Sequence, residues 1–310
     1  MTAYTAALTS LLATQSSPSS NRVAINHLRL SFYLTDPYLS HIGHAVGEVV
    51  EYGITTDLLE LAICADVHDP SYEQCVVFGQ RFMTFVQACP VAFRWLTRLI
   101  LQNLTFGDSD ISSALNACNK LELLSLTYCV CVIDPVTGED TVLTIDAPNS
   151  SLLALEITTC AYERIDLIQA PKLGRLLCTN WIAYIHLTMF YFMKLSCHPC
   201  ERSICEDSAQ QVNVHASPDF KHLRLSMLEM VGFAVEEKLM KYLRLVMKRA
   251  VGLRRICLFD QQPCAKCDTM DNAQSPSSIR WRFPTGDDER KLIRQQLVDG
   301  FSSSAEISIV

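Results

Sequence analysis

Leu121-Glu-Leu-Leu124-Ser-Leu126-Thr-Tyr-Cys129 decides how the rest of this chain is read. Its spacing, L-x-x-L-x-L-x-x-C, puts Leu124 and Leu126 on one face of a short strand, because strand side chains alternate with period two. Leu121 then marks the approach to that strand and Cys129 the corner that follows it. Leu152, Leu155, Ile157 and Cys160 repeat the spacing. A strand with one apolar face cannot bury that face alone, so a recurrence implies neighbours stacked alongside.

The pattern is that of a leucine-rich repeat, whose strand segment reads L-x-x-L-x-L-x-x-N/C. Looser matches begin at Ile25, Leu58, Leu96, Leu121, Leu152, Leu173, Phe220 and Leu253, with separations from 21 to 47 residues. A tight array runs at about 20–29, so the repeat is irregular and an ordinary α/β domain with Leu-rich strands stays open as the alternative. The two matches that end in Cys favour the repeat. The fold class expected is α/β: an irregular, curved leucine-rich-repeat solenoid.

Composition sets the outer limits. The 310 residues are 49% hydrophobic, enough for a sizeable core in one elongated or two compact domains. A net charge of −7 gives no whole-chain attraction for nucleic acid. Fourteen Cys is a high count, but Cys64, Cys89, Cys118, Cys129 and Cys178 sit inside apolar patterns, where a thiol behaves as a small hydrophobe. No secretory signal is evident, so reduced thiols and a cytoplasmic or nuclear location are expected, without a disulfide framework. Met1 to Asn21 carries no charged residue and lacks the Arg of a transit peptide. Trp181 to Leu195 is apolar but only 15 residues long and contains His186, whereas a membrane span needs about 20, so no membrane partner is expected.

Five segments follow from the pattern. Residues 1–22 are a leader or linker, 23–195 the repeat-like array, 196–219 a Cys-rich joint, 220–270 a strand-helix-strand unit, and 271–310 a linker with a final charged helix and tail. Strands are expected at Val23–Phe32, Asp57–Ala65, Leu96–Phe106, Leu121–Cys129, Val142–Ile145, Leu152–Cys160, Arg164–Ile168 and Leu173–Cys178, the last closing the array. Asp69-Pro70 reads as a helix N-cap followed by Pro, for a helix whose apolar face is Cys75, Phe78, Phe82, Phe85, Val86 and Cys89 and which Pro90 ends. Asp108-Ser-Asp110 caps a short helix through Cys118. Val235 to Ala250 is the clearest helix, with Glu236 and Glu237 in its first turn, Lys248 and Arg249 in its last, and Gly252 beyond. Strands at Phe220–Met230 and Leu253–Phe259 flank it, and Asp287–Gly300 reads as an exposed final helix.

Four stretches in this last part resemble a known segment: Phe220-Lys-His-Leu-Arg-Leu, Glu229-Met-Val-Gly232-Phe233, Leu239-Met-Lys-Tyr242-Leu243 and Ala250-Val-Gly-Leu253-Arg-Arg-Ile256. They are similar to the FBD segment that ends many plant F-box/leucine-rich-repeat proteins. Leu30-Ser-Phe-Tyr-Leu-Thr-Asp-Pro37, Pro90-Val-Ala-Phe-Arg-Trp-Leu-Thr-Arg98, Ile133-Asp-Pro-Val-Thr-Gly-Glu-Asp140 and Arg290-Lys-Leu-Ile-Arg-Gln-Gln-Leu-Val-Asp299 resemble the grass branch of that family. The resemblance implies a substrate receptor, in which an N-terminal F-box grips the Skp adaptor of a ubiquitin ligase and the repeats present a target. This chain lacks the Leu-Pro-rich helical pattern of the F-box, and Trp181-Ile-Ala-Tyr-Ile-His-Leu runs almost directly into Ser196-Cys-His-Pro-Cys200, where the family carries further repeats. The expectation is therefore a target-binding module, not an enzyme, that does not bind the Skp adaptor. A truncated, non-functional product is the other possibility the departures raise.

No residue pattern points to catalysis. Gly43-His-Ala-Val-Gly47 lacks the Lys-Ser/Thr of a phosphate loop, and there is no G-x-S-x-G or H-E-x-x-H. Cys197 and Cys200, with Cys264 and Cys267, are the one set spaced like zinc ligands, and Cys205 lies nearby. The 63 residues between the pairs exceed the span of compact zinc modules, so loop thiols are expected and a zinc module or small zinc enzyme is the alternative. His41 and His44 read as loop or short-helix residues rather than a metal pair. Alternation puts Arg29, Glu60, Arg98, Glu122, Ser125 and Glu156 on the exposed face as candidate target contacts. Lys248, Arg249, Arg254 and Arg255 form a basic cluster, either a solvated helix end or a contact for an acidic partner.

Overall fold

A computed structural model describes residues 26–34, 38–51, 58–64, 70–131, 142–160, 162, 164–179, 224–233, 235, 237–260, 283–300 and 303–310, with 6, 7 and 10. The chain is mixed α/β and is built on one nine-stranded sheet. In chain order the strands are β1 His27–Tyr33, β2 Leu58–Cys64, β3 Arg98–Gln102, β4 Thr105–Phe106, β5 Leu123–Thr127, β6 Val130–Cys131 and β7 Val142–Asp146. They continue with β8 Ala154–Thr158, β9 Arg164–Gln169, β10 Arg175–Thr179, β11 Met227–Val231, β12 Arg255–Phe259 and β13 Glu306–Ile309. The large sheet runs β1-β2-β3-β5-β8-β10-β11-β12-β13, while β4 pairs with β6 and β7 with β9 in two small sheets. Every pairing among the described strands is parallel. Among the described strands, spatial order follows chain order and does not reverse to make the crevice at which doubly wound sheets bind cofactors.

Register explains the order. Leu61 pairs with Leu99, Leu99 with Leu124, Leu124 with Leu155 and Leu155 with Leu176, then Leu176 with Leu228 and Leu228 with Ile256. A one-residue slip in any strand would turn its leucines to the opposite face. Leu99, Leu101, Leu124, Leu126, Leu155 and Ile157 are all buried and belong to one continuous core.

Helices cover the core side at both ends of the sheet. They are α1 Tyr38–Glu51, α2 Tyr72–Ala88, α3 Pro90–Trp95, α4 Asp110–Ala117, α5 Glu237–Arg249 and α6 Asp287–Val298. The cap of α2 is Ser71, not Asp69 as the sequence suggested: Ser71 Oγ accepts from Gln74 N at 3.3 Å and Gln74 Oε1 accepts from Ser71 N at 2.8 Å, a reciprocal capping box. Pro90 does more than end α2, since it opens α3, where its missing N–H is no loss. Behind these helices lies an edge-to-face aromatic cluster, with Phe85 to Phe93 at 5.0 Å, Phe82 to Phe106 at 6.0 Å and Phe82 to Phe93 at 6.1 Å between ring centroids.

Other expectations need correcting. Leu96–Phe106 is not one strand, because Asn103 adopts φ 59° and turns the chain between β3 and β4. Ser109, not an Asp, stands at the start of α4 without a capping side-chain bond, and the Asp110 carboxylate instead accepts from Gly107 N at 2.7 Å. His41, Gly43, His44 and Gly47 all lie in the helix Tyr38–Glu51, which is longer than the loop or short helix expected for the two histidines. The sheet does not close at Cys178: β10 pairs with β11 from Arg175↔Met227 to Thr179↔Val231. Of the strand expected at Phe220–Met230, the described part is β11 Met227–Val231, and Phe220 lies outside the described residues. The expected helix at 235–250 is present as α5, with Leu239, Leu243 and Met247 buried. α6 is not merely exposed, since Ile293 and Leu297 are buried, and beyond it β13 adds a strand that the sequence reading took for tail. Ser196–Pro218, Trp181–Leu195 and the linker at 271–278 fall outside the described residues. Among the described residues no helix is long and apolar enough to cross a membrane.

Candidate interaction surface

Alternation that sends the leucines into the core sends their neighbours to the opposite face of the sheet. Because the strands are parallel and in register, those neighbours line up in rows running across the sheet, about 4.8 Å from strand to strand. One row aligns Arg29, Glu60 and Arg98, and farther along the sheet it reaches Arg175 and Arg255. The next aligns Ser125 with Glu156 and, across Leu177 of β10, with Glu229, and a third aligns Gln102, Thr127, Thr158 and Thr179.

Charges on this face are matched between strands. Glu60 Oε1 lies 2.9 Å from Arg29 Nε and its Oε2 lies 3.7 Å from Arg98 Nη1. The Glu60 side chain is only 4% exposed, so a carboxylate expected at the surface is in fact buried between two guanidinium groups. Burial of that charge is tolerable only with such pairing. Arg175 makes the second cluster, with Nε 2.6 Å from Glu229 Oε2 and Nη1 3.4 Å from Glu156 Oε1. Arg255 Nε sits 3.6 Å from Glu306 Oε2 at the far edge.

The corners after the strands hold the threonine row in place. Asn103, Tyr128 and Thr159 have φ of 59°, 52° and 50°, a left-handed conformation unusual for residues other than Gly. Their N–H groups donate to Thr127 O at 3.0 Å, Thr158 O at 3.1 Å and Thr179 O at 2.8 Å. Gly232, with φ 79°, does the same to Phe259 O at 3.1 Å. Next in sequence come the buried Cys129 and Cys160. The Cys129 thiol donates to Leu101 O at 3.6 Å, and the Cys160 thiol to Leu126 O at 3.4 Å. Cys129 N–H in turn donates to Cys160 Sγ at 3.3 Å. Burial holds the Cys129 thiol well above its ordinary range and pushes those of Cys118, Cys131 and Cys178 up to about 12. Thiols so protonated are structural rather than nucleophilic.

Of the candidate contacts read from sequence, Arg29, Arg98, Ser125 and Glu156 do lie on the open face, and Glu60 lies there buried. Glu122 precedes β5 and is off the rows, and its carbonyl instead receives Leu153 N at 2.8 Å and Ala154 N at 2.9 Å. Arg175, Glu229 and the three threonines were not among the candidates, although period two counted from Leu176, Leu228, Leu155 and Leu124 puts them on the same face. His41 and His44 are exposed on α1, and no group of residues able to hold a metal occurs among the described residues. Cys197, Cys200, Cys205, Cys264 and Cys267 lie outside those residues. The basic cluster divides, with Arg255 paired to Glu306 on the sheet face and Arg254 lining a separate cavity. Comparison with models of known protein families finds no match to this chain, and comparison with curated proteins finds none either.

Proposed function

We propose that this chain is a non-enzymatic interaction module: a leucine-rich-repeat solenoid that presents the open face of its sheet to a polypeptide target, in the manner of the substrate-recognition part of an F-box/leucine-rich-repeat ubiquitin-ligase receptor. The observation that carries the proposal is the alignment of side chains from successive strands into rows. Fixed spacing in two directions, on a rigid sheet, suits a surface that must order an extended partner without itself moving. Pairing within the face supports the same reading, because Arg175 is already oriented by Glu156 and Glu229 before any partner arrives. The resemblance of 220–256 to the FBD segment supports the receptor class. No stretch of the 310 residues carries an F-box pattern, so the proposed role is target binding without ligase attachment through this chain.

A photo-crosslinking residue at Thr158, on the open face, is compared with one at Glu73, in the first turn of α2. Reproducible adducts to one polypeptide from position 158 and not from position 73 are expected. Adducts from position 73 alone, or equally from both, would overturn the use of the sheet face. Titration of purified Skp adaptor should give no saturable complex, and a sub-micromolar one would restore the ligase-receptor role.

A further inference from the structure

A cavity of about 620 Å³ opens beside the amino-terminal ends of β10 to β13, away from the threonine row. Lys172, Arg224 and Arg254 line it together with Ser226, Gly252 and Ser304. The sheet brings these residues together. Lys172 and Arg224 each immediately precede the first buried Leu of their unit, Leu173 and Leu225, and Arg254 immediately follows Leu253. Ser226 N donates to Gly174 O, Arg254 N to Ser226 O and Glu306 N to Arg254 O, each at 2.9 Å, which sets the strand starts side by side.

Charge distinguishes this place from the rest of the sheet. Arg29, Arg98, Arg175 and Arg255 each have a Glu within ion-pair distance. Lys172, Arg224 and Arg254 have none among the described residues, in a chain whose net charge is −7. The Lys172 ammonium donates to Ser151 Oγ at 3.1 Å, a neutral partner. Three cations gathered with no counterion among the described residues repel one another, and an added anion relieves that repulsion.

We propose that this notch binds a phosphoryl group. A tetrahedral dianion offers three oxygens that can each face one cation, and guanidinium forks match two of its oxygens at once. A carboxylate carries one charge and two oxygens, so it would satisfy one Arg and leave the other two cations unmatched. Ser226 commits its own proton to Gly174 O at 3.1 Å, which leaves Ser304 as the hydroxyl donor. The cavity is larger than one phosphate and falls in the size range of small-molecule sites, so it accommodates what the phosphoryl group is attached to. That carrier is either a small phosphorylated compound or a phosphorylated side chain of a polypeptide, and the recognising chemistry is the same for both.

Calorimetric titration of the full chain at fixed ionic strength separates these sources and can reject both. The probes are inorganic phosphate, pyrophosphate, a capped Ala-Ala-phosphoserine-Ala-Ala peptide and its Asp analogue. Saturable one-site binding of at least one phosphorylated probe is expected. It should weaken by about tenfold or more in Arg224→Gln/Arg254→Gln, as loss of two charge-assisted contacts requires. Lys241→Gln, which removes a cation paired with Glu237 at 2.7 Å on α5, should leave binding unchanged. Tighter binding of pyrophosphate assigns the site to free phosphates, and tighter binding of the peptide to a modified polypeptide. The proposal is overturned if no phosphorylated probe saturates, if the double variant binds as the parent does while melting at the same temperature, or if the Asp peptide matches the phosphoserine peptide. Crosslinking from the sheet face reads none of these outcomes, so either reading can fail alone.

Discussion

The middle of this sheet and its two ends are backed differently, although their strands are alike. From Leu61 to Leu99 the chain has 38 residues before the register repeats, and α2 and α3 fill the interval. From Leu155 to Leu176 it has 21, and only the short strand β9 fits. The front of each unit is thus set by period-two spacing of Leu, while the back is set by how much chain lies between strands. Core chemistry changes with the backing. Phe32, Phe82, Phe85, Phe93 and Phe106 meet edge to face where helices cover the sheet, whereas Cys129, Cys131, Cys160 and Cys178 fill the space in the middle. At the position just after the corner, occupied by Cys129 and Cys160, the helix-backed units use Leu104 and Phe233, which are larger and equally buried.

The largest effect should come from putting a charge under a covering helix. Leu243 is fully buried on α5, so Leu243→Asp places a carboxylate where no partner waits and should cost more than about 4 kcal/mol. Amide exchange should show β11 and β12 losing protection before β5 and β8 do. Uniform loss along the whole sheet would show that the two regions are one cooperative unit, and a variant that melts like the parent would show that the face of α5 is misassigned. In the middle, Leu124→Ala removes a buried side chain from a sheet with little flexible covering to collapse into the space. A loss of about 2–5 kcal/mol in urea unfolding is expected.

How much of this was legible depended on whether a feature is repeated or unique. Leu99, Leu124, Leu155 and Leu176 recur at one position of the unit, and their strands could be read directly. The corner expected at Cys129 falls one residue earlier, at Tyr128, because Asn103, Tyr128, Thr159 and Gly232 share a backbone conformation but no residue type that would mark it. Strand β13 escaped because Ser304 stands where the other units carry Leu, leaving only Ile307 and Ile309 to mark it. Helix α1 was hidden by Gly43 and Gly47, which lower helix propensity. Gly43 is required by packing, since a Cβ there would overlap the Cys89 side chain and Phe85. Phe220-Leu223-Leu225 and Leu225-Leu228-Met230 share one spacing, so sequence alone does not choose between them, and pairing with Leu176 and Cys178 places Leu228 and Met230 in β11. On the open face alternation placed Arg29, Glu60, Arg98, Ser125 and Glu156 but not Glu122, and no single-strand argument could show that Glu60 is enclosed, because the residues enclosing it come from β1 and β3.

A smaller effect follows from the thiols. Cys118, Cys131 and Cys178 hold their protons until about pH 12 because burial penalises the thiolate, while in the unfolded chain they would release them near 9.0. The unfolded state therefore binds fewer protons through this window, and stability, complete below the lower limit, declines as pH rises. Between pH 7 and pH 9 the three together should cost about 1–2 kcal/mol, reversibly under reducing conditions. With all three thiols at or beside the strand-backed middle, amide protection should weaken first at β6 and β10. If it weakens first around the Phe cluster instead, the two regions do not differ in the way their cores imply.

The smallest effect tests the helix-backed end through a single terminus. Ser71 Oγ and Gln74 Oε1 satisfy two N–H groups that the first turn of α2 would otherwise leave to water. The box is exposed, so its loss opens no cavity and buries no charge. Ser71→Ala should cost about 1 kcal/mol, the usual value of an N-cap hydroxyl. What gives this number use is where it is felt. α2 packs on β4 through Gly79, so close that a Cβ on that residue would overlap the Thr105 carbonyl. A frayed first turn can be absorbed only if that contact holds the remainder of the helix in place. If it does, exchange should quicken at Glu73 to Cys75 and stay slow at Phe82 and Phe85. If the loss instead spreads to Phe85, the Gly79 contact does not anchor α2, and the helix-backed end is the looser of the two regions rather than the better packed.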